Sequence, residues 1–94
     1  MIATALADAI RVYAPTLTPT ALAGAVDTTE QTFTVPGLLP GDVVAVSGPA
    51  QPAHCALTSA RVSAKDTLAL TFGNFTTGTP TPTAGVYVVF AIRP

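Results

Sequence analysis

The residues that could carry out chemistry are few, and the two most reactive of them are neighbours. His54 is the only histidine and Cys55 the only cysteine of the 94-residue chain. Histidine is a natural general base near neutral pH, and a thiolate is a natural nucleophile. Adjacent residues of a strand point to opposite faces, however, so these two side chains are expected to diverge. We therefore interpret His54 as an ordinary strand residue and Cys55 as a small buried hydrophobe.

The other candidates for catalysis are a serine, a lysine and the carboxylates. Ser63 and Lys65 are spaced like a Ser-Lys dyad, but a turn is predicted to begin there and no glycines flank it to form an oxyanion hole. Four of the five carboxylates fall in or beside predicted turns, where such side chains commonly bind backbone N–H groups. These four are Asp27, Glu30, Asp42 and Asp66. We expect no catalytic residue and no cofactor, so the chain is not expected to be an enzyme. The five carboxylates are Asp8, Asp27, Glu30, Asp42 and Asp66.

Metals, nucleic acids and membranes are each disfavoured by the composition. Structural zinc needs four ligands at recognisable spacing, and the sequence offers one adjacent His-Cys pair. The net charge is −1, and the four basic residues are scattered along the sequence, so there is no footprint for phosphates. The longest uncharged apolar run, residues 84–92, is about half of the roughly 20 residues that span a bilayer. Residues 1–10 lack a basic region and Asp8 interrupts them, which argues against a secretory signal.

Size and charge together indicate a partner chain. A single small domain buries a modest core and is commonly stabilised by disulfides, a metal or association. One cysteine excludes an intrachain disulfide. Charged residues make up 10% of the chain, against about 25% in an average soluble domain, while 49% of its residues are hydrophobic. We therefore expect part of the surface to be covered by another chain.

The elements that position these residues are predicted to be short strands. There are 16 Thr against 3 Ser, and 9 Pro and 7 Gly divide the chain into short segments. This pattern predicts an all-β fold, a small antiparallel β-sandwich or jelly-roll-like barrel, over residues 19–94. Residues 1–18 are predicted to form an N-terminal arm or short helix, since residues 2–13 suit either a helix that ends before Pro15 or an extended segment. Strands are predicted over residues 21–26, 31–35, 43–46, 54–63, 67–72 and 86–92, with a turn at 39–42, a hairpin turn at 65–66 and a long loop at 73–85.

The last predicted strand is apolar on both faces. Val86, Val88, Phe90 and Ile92 alternate with a second set of apolar residues. Such a strand is either covered on both sides within its own fold or packs its second face against a neighbouring chain. In so small a domain we favour a neighbouring chain, and we predict an interface between copies at Tyr87, Val89 and Ala91.

The sequence also contains three stretches that resemble a family of small β-rich virion proteins from tailed bacteriophages, the capsid decoration, cement or head-fibre proteins. They are TFTVPGLLPGDVVAV (32–46), ARVSAKDTLALTF (60–72) and TPTAGVYVV (81–89). The resemblance extends over roughly residues 20–93 and depends on the order and spacing of the three blocks. None of the blocks is a catalytic motif, and residues 1–18 do not match the pattern.

The resemblance implies a structural subunit that is made in the host cytoplasm and located on the capsid surface of the virion. It implies a homotrimer that binds the major capsid protein and ties neighbouring capsomers together. The N-terminal segment often makes the capsid contact in such proteins, which would place that contact at Ile2, Leu6, Ile10 and Tyr13. The alternative function is a receptor- or glycan-binding module that uses the 73–85 loop, where Phe75 is the aromatic residue expected to be exposed.

Overall fold

The structure is a computed structural model that describes residues 9–24 and 27–94. These residues form eight β-strands, and the described part of the chain has no helix that is long and apolar enough to cross a bilayer. The strands are β1 (Ile10–Tyr13), β2 (Thr16–Leu17), β3 (Asp27–Thr34), β4 (Val43–Ser47), β5 (Cys55–Ala64), β6 (Thr67–Asn74), β7 (Gly85–Val86) and β8 (Val88–Ile92).

The strands form two three-stranded antiparallel sheets and one short ladder. Sheet I has the order β1-β8-β4, sheet II has the order β3-β6-β5, and β2 pairs with β7. The inner faces of the two sheets share one hydrophobic core, so the predicted all-β fold is confirmed and the architecture is that of a small β-sandwich. The core comprises Leu17, Leu22, Val35, Leu38, Cys55, Val62, Leu68, Leu70, Phe72, Tyr87, Val89 and Ala91.

Residues 10–17 belong to the sandwich. Ile10 pairs with Ile92 in sheet I, and Leu17 pairs with Gly85 in the short ladder, in one continuous antiparallel register. The two ladders are interrupted at Pro15, which has no N–H to donate but whose carbonyl still accepts from the Tyr87 N–H at 3.0 Å. Residues 10–17 of the predicted arm or short helix are therefore extended and paired with the last strands of the domain. Residues 1–8 lie outside the described residues.

The hairpin predicted around Lys65 and Asp66 is confirmed. It joins β5 to β6 through these two residues, and Asp66 has φ 58°, a left-handed conformation that aspartate tolerates better than most residues. Asp66 also fastens the hairpin to the loop before β4. Its carboxylate Oδ1 accepts from the Gly37 N–H at 2.8 Å, and its own N–H donates to the Leu38 carbonyl at 2.8 Å.

The strand predicted at residues 21–26 is corrected by the structure. The segment 18–24 is not a strand, and residues 25 and 26 lie outside the described residues. Hydrogen bonds to a side chain and to one loop carbonyl replace the bonds that a neighbouring strand would make with this segment. The Gln31 amide pairs with both backbone groups of Thr20, at 2.8 and 2.9 Å, and the Leu22 N–H donates to the Pro80 carbonyl at 2.8 Å. These bonds hold Thr20 and Leu22 in place without a neighbouring strand.

Candidate interaction surface

The two most reactive side chains are separated by the fold. His54 is exposed in the turn before β5, with φ 59°, so it is not the strand residue that was predicted. Cys55 begins β5 and is buried in the core, where burial raises the pKa of its thiol. A buried thiol with a raised pKa is a poor nucleophile. Within residues 9–24 and 27–94, no three His, Cys, Asp or Glu side chains lie together where they could hold a metal ion.

The carboxylate of Asp42 is held by three hydrogen bonds. Its two oxygens accept from Nε and Nη2 of Arg93 at 2.9 and 3.0 Å, and Oδ2 also accepts from the Leu39 N–H at 3.0 Å. The Arg93 guanidinium, followed by the Leu39 N–H, lowers the pKa of Asp42 from 3.8 to about 2. Arg93 also donates to the Gly37 carbonyl at 2.9 Å. The group closes the predicted 39–42 turn against the end of the chain, which is a structural use of the carboxylate.

The outer face of sheet II is polar. On it, Nε and Nη2 of Arg61 donate to the two carboxylate oxygens of Glu30, both at 2.8 Å, across the small Ala69 of the central strand. Hydrogen bonding to Arg61 lowers the pKa of Glu30. Threonines occupy much of the rest of this face, at Thr28, Thr32, Thr34, Thr67 and Thr71. This side of the sandwich therefore presents a polar surface to solvent.

The outer face of sheet I is apolar. Among its members, Val12 is 63% exposed, Val43 62%, Val88 42% and Phe90 40%. Eight side chains share this face by strand register, and none of them is charged. We call this surface the apolar face; its residues are Ile10, Val12, Val43, Ala45, Ser47, Val88, Phe90 and Ile92.

The interface predicted at Tyr87, Val89 and Ala91 lies on the wrong side of the last strand. These residues are 0%, 0% and 1% exposed, because their side of β8 faces sheet II and forms the core. A neighbouring chain cannot reach them without opening the sandwich. The opposite side of the same strand, through Val88 and Phe90, is the exposed one.

Tyr87 is held in the core by a polar network that joins two loops. Its hydroxyl donates to the Thr83 carbonyl at 2.6 Å and accepts from Nε2 of Gln51 at 3.0 Å. Oε1 of Gln51 in turn accepts from the Thr83 N–H at 2.9 Å. The ring also lies close to Gly48, where an added Cβ would be 2.5 Å from two ring carbons. The fold therefore provides hydrogen-bond partners for the Tyr87 hydroxyl and space for its ring.

The residues predicted to contact a capsid are separated by the structure. Ile2 and Leu6 lie outside the described residues. Ile10 is partly exposed on the apolar face. Tyr13 points to the opposite side of β1, where it is half-buried against the core and near Gly37. The described residues therefore bring Ile10, but not Tyr13, to the apolar face.

Phe75, the aromatic residue of the alternative binding function, is 55% exposed. Its ring lies over Gly73 of β6, where an added Cβ would be 2.8 Å from Cζ. The absence of a side chain at Gly73 thus leaves room for the ring against the outer side of sheet II. Phe75 is on the polar side of the sandwich, away from the apolar face.

Sequence reasoning missed a shallow groove of about 170 Å³ between β4 and β5. These strands are the last ones of their sheets in the part of the chain that the structure describes, so the groove separates two sheet edges. It is lined by Val44, Ala45, Val46, Leu57, Thr58, Ser59 and Ala60. No sequence signal predicts it, because it depends on which strands end the two sheets.

Comparison with known proteins gives no relative: the chain matches no protein-family model, and no curated protein or solved structure gives a significant match. The resemblance to capsid decoration proteins therefore stays a prediction based on the three sequence blocks.

Proposed function

We propose that this chain is a structural virion protein, a capsid decoration or cement subunit. In this proposal it assembles as a homotrimer on the outside of a phage head and binds the major capsid protein at junctions between capsomers. The observation that carries the proposal is the apolar face, an uncharged sheet surface that stays exposed on an otherwise well-satisfied sandwich. A surface of this kind is typical of a chain that works by contact with other protein.

The described polar groups are used for structure, which supports a non-enzymatic role. Asp42 closes a turn, Asp66 fastens a hairpin, and Glu30 pairs with Arg61 on an exposed sheet face. Every buried side-chain nitrogen and oxygen in the described chain has a hydrogen-bond partner. Catalytic groups are commonly left poised for a substrate, with perturbed pKa values in a cleft. Among the described residues, the strongest such shift belongs to the Asp42 ion pair.

The three sequence blocks that resemble decoration proteins form one connected part of the fold. The first block covers the end of β3, the 39–42 turn and β4, and the second covers most of the β5–β6 hairpin. Asp66 of the second block bonds to Gly37 and Leu38 of the first. The third block leads through Tyr87 into β8, which pairs with β4 of the first block. Their order and spacing thus correspond to strands that contact one another in this fold.

A cement subunit stabilises a shell by adding contacts across junctions that internal pressure would otherwise open. Three linked copies of a modest contact raise the effective affinity by about 10²–10⁴, provided that all three can engage together. Such a subunit needs a stable scaffold and exposed contact surfaces, and it needs no catalytic group.

The experiment that tests this proposal is immunolabelling of virus particles with an antibody raised against the purified chain. Particles from the source culture are separated on a density gradient, and their major capsid protein is identified by mass spectrometry. We expect the chain to sediment with these particles and the antibody to label the outside of intact heads. Heads that lack the chain should release DNA at a lower temperature, and added purified chain should restore the original temperature. A chain found only in fractions free of particles would overturn the proposal.

The exposure of Phe75 favours a second candidate, a glycan- or receptor-binding module. An exposed aromatic ring packed against a sheet, as this one is at Gly73, offers a stacking platform for a sugar. A glycan array separates the two functions: binding that disappears in Phe75→Ala but persists in Leu39→Ala, another exposed apolar residue, would favour the module.

A further inference from the structure

We propose that the apolar face is the surface through which copies of this chain contact one another. This inference rests on the proposed function in one respect, the claim that the chain works as an oligomer, and it assigns that contact to particular residues. It also replaces the interface predicted from the sequence, which is buried in the core.

The apolar face is unusual in composition for an exposed surface. Scattered exposed hydrophobic residues are normal, but here four large ones are contiguous across the paired strands β1, β8 and β4. Val12 lies beside Phe90, and Phe90 lies beside Ala45. The outer face of sheet II, in the same chain, carries threonines and an ion pair at the corresponding positions. The contrast between the two faces indicates that one is hydrated and the other is covered.

The size of the apolar face suits contact with a second copy. At about 3.4 Å per residue and about 4.8 Å between strands, three strands of five residues measure roughly 17 by 14 Å. With side-chain relief this corresponds to an accessible area on the order of 400–500 Å² per copy, so two facing copies would bury roughly 800–1,000 Å², which approaches the minimum for a specific interface. Contact with a neighbour's β4–β5 edge or with Val86, 53% exposed beside β8, would add to this area.

The chemistry of the face favours self-contact over contact with lipid or a charged partner. None of its eight side chains is charged, so an equally uncharged surface complements it, and the face itself is such a surface. A lipid-binding face would be expected to have free Lys or Arg side chains at its rim. Of the four basic residues, Arg61 is bound to Glu30 on the other sheet and Arg93 is bound to Asp42. Lys65 lies in the hairpin turn of sheet II, and Arg11, at a position of β1 whose register partner Ala91 faces the core, donates to the Ile10 carbonyl.

Three copies can use this face together. If each turns its sheet I toward a common three-fold axis, the three faces enclose a triangular apolar core in which each copy contacts both neighbours. The same residues then serve in every copy, as closed symmetry requires. Sheet II, with its threonines and its Arg61–Glu30 pair, stays on the outside of the trimer.

The test is the solution mass of the intact chain and two lysine variants by light scattering over a dilution series. Val43→Lys places a charge on the apolar face at a position that is 62% exposed, so the folded monomer should tolerate it. Thr32→Lys is the matched control, an exposed strand position on the outer face of sheet II. We expect the unmodified chain and Thr32→Lys to form a trimer of three 9.5 kDa chains, and Val43→Lys to associate at least about 100-fold more weakly. Circular dichroism should show all three to be folded.

The outcomes separate this inference from the proposed function. A Val43→Lys variant that assembles like the unmodified chain, or a chain that is monomeric throughout the dilution series, would overturn the assignment of the apolar face. A dimer that Val43→Lys disrupts would support the assignment and contradict the trimer of the proposed function. Antibody labelling of heads tests the virion role and does not depend on these results. If Val43→Lys does not fold, Val12→Lys, at a position 63% exposed on the same face, takes its place.

Discussion

Removing the side chain of Asn74 should destabilise the fold more than most single substitutions. Asn74 ends β6 and is 1% exposed. Its Nδ2 donates to the carbonyls of Ala23 and Gly78 at 2.9 and 2.8 Å. Its Oδ1 accepts from the N–H and the hydroxyl of Thr76 at 2.9 and 2.7 Å. One amide therefore uses four hydrogen bonds to join the segment before β3 to the loop after β6.

The magnitude follows from those four bonds. A typical intramolecular hydrogen bond contributes about 1 kcal/mol net, and a partner left buried and unpaired costs about 1–3 kcal/mol. Ala23 and Gly78 are exposed, so water can replace part of what Asn74→Ala removes. We expect a loss of about 2–4 kcal/mol in the free energy of unfolding, against a total of about 5–14 kcal/mol for a chain of this length.

The assay is urea unfolding at fixed protein concentration, followed by circular dichroism and by tyrosine fluorescence, since the chain has no tryptophan. With an m-value of about 1–2 kcal/mol/M for so small a chain, the midpoint should fall by roughly 2 M. Asn74→Asp is the informative comparison. Its ionised carboxylate would face two carbonyls, so its deficit relative to the unmodified chain should shrink as the pH falls from 7 toward 4 and the group becomes protonated. An Asn74→Ala variant within 0.5 kcal/mol of the unmodified chain, or an Asn74→Asp deficit independent of pH, would refute this reasoning.

Three further predictions concern a glycine, a carboxylate and the thiol. Gly48→Ala should lower the free energy of unfolding by about 1–3 kcal/mol, because its Cβ would lie 2.5 Å from the buried ring of Tyr87. Gly78→Ala is the control: its nearest contact would be 3.7 Å away, so it should change the free energy of unfolding by less than about 1 kcal/mol. Thermal unfolding of the two variants compares these effects. The pKa of Asp42 is lowered to about 2, so its ion pair stabilises the fold fully above about pH 4 and this stabilisation is lost as the pH falls toward 2. Over this range the free energy of unfolding of the unmodified chain should fall by about 1–2 kcal/mol more than that of Asp42→Asn, as measured by urea unfolding at each pH. The buried Cys55 thiol should react slowly with a thiol reagent at pH 8 in the native chain and rapidly in urea, and equal rates would contradict its burial.

The hairpin and the turns could be predicted because their signals are local. Pro40-Gly41-Asp42 and Lys65-Asp66 carry the residue types that tight turns require, and the structure has turns at both places. The alternation of Leu68, Leu70 and Phe72 also identified one buried face of β6. Each of these inferences needs only neighbours in sequence.

The prediction of a strand at residues 21–26 was wrong, and the reason cannot be seen in the local sequence. The backbone there bonds to the amide of Gln31, to the Pro80 carbonyl and to the amide of Asn74. These partners lie between 11 and 58 positions away along the chain. A short apolar segment suits a strand or an irregular connection equally well, and distant polar groups decide between them.

The buried face of the last strand could not be chosen from its own sequence, because both faces are apolar. The choice is made by register. β4 carries Val44 and Val46 on one side and Val43, Ala45 and Ser47 on the other, and the two smaller or polar residues on the second side favour burial of Val44 and Val46. Because Ala45 pairs with Phe90, burial of the valines places Phe90 outside, and a slip of one residue would reverse the assignment. The pairing of β4 with β8 is therefore the fact that locates the apolar face, and a lysine at position 43 tests that register together with the contact between copies.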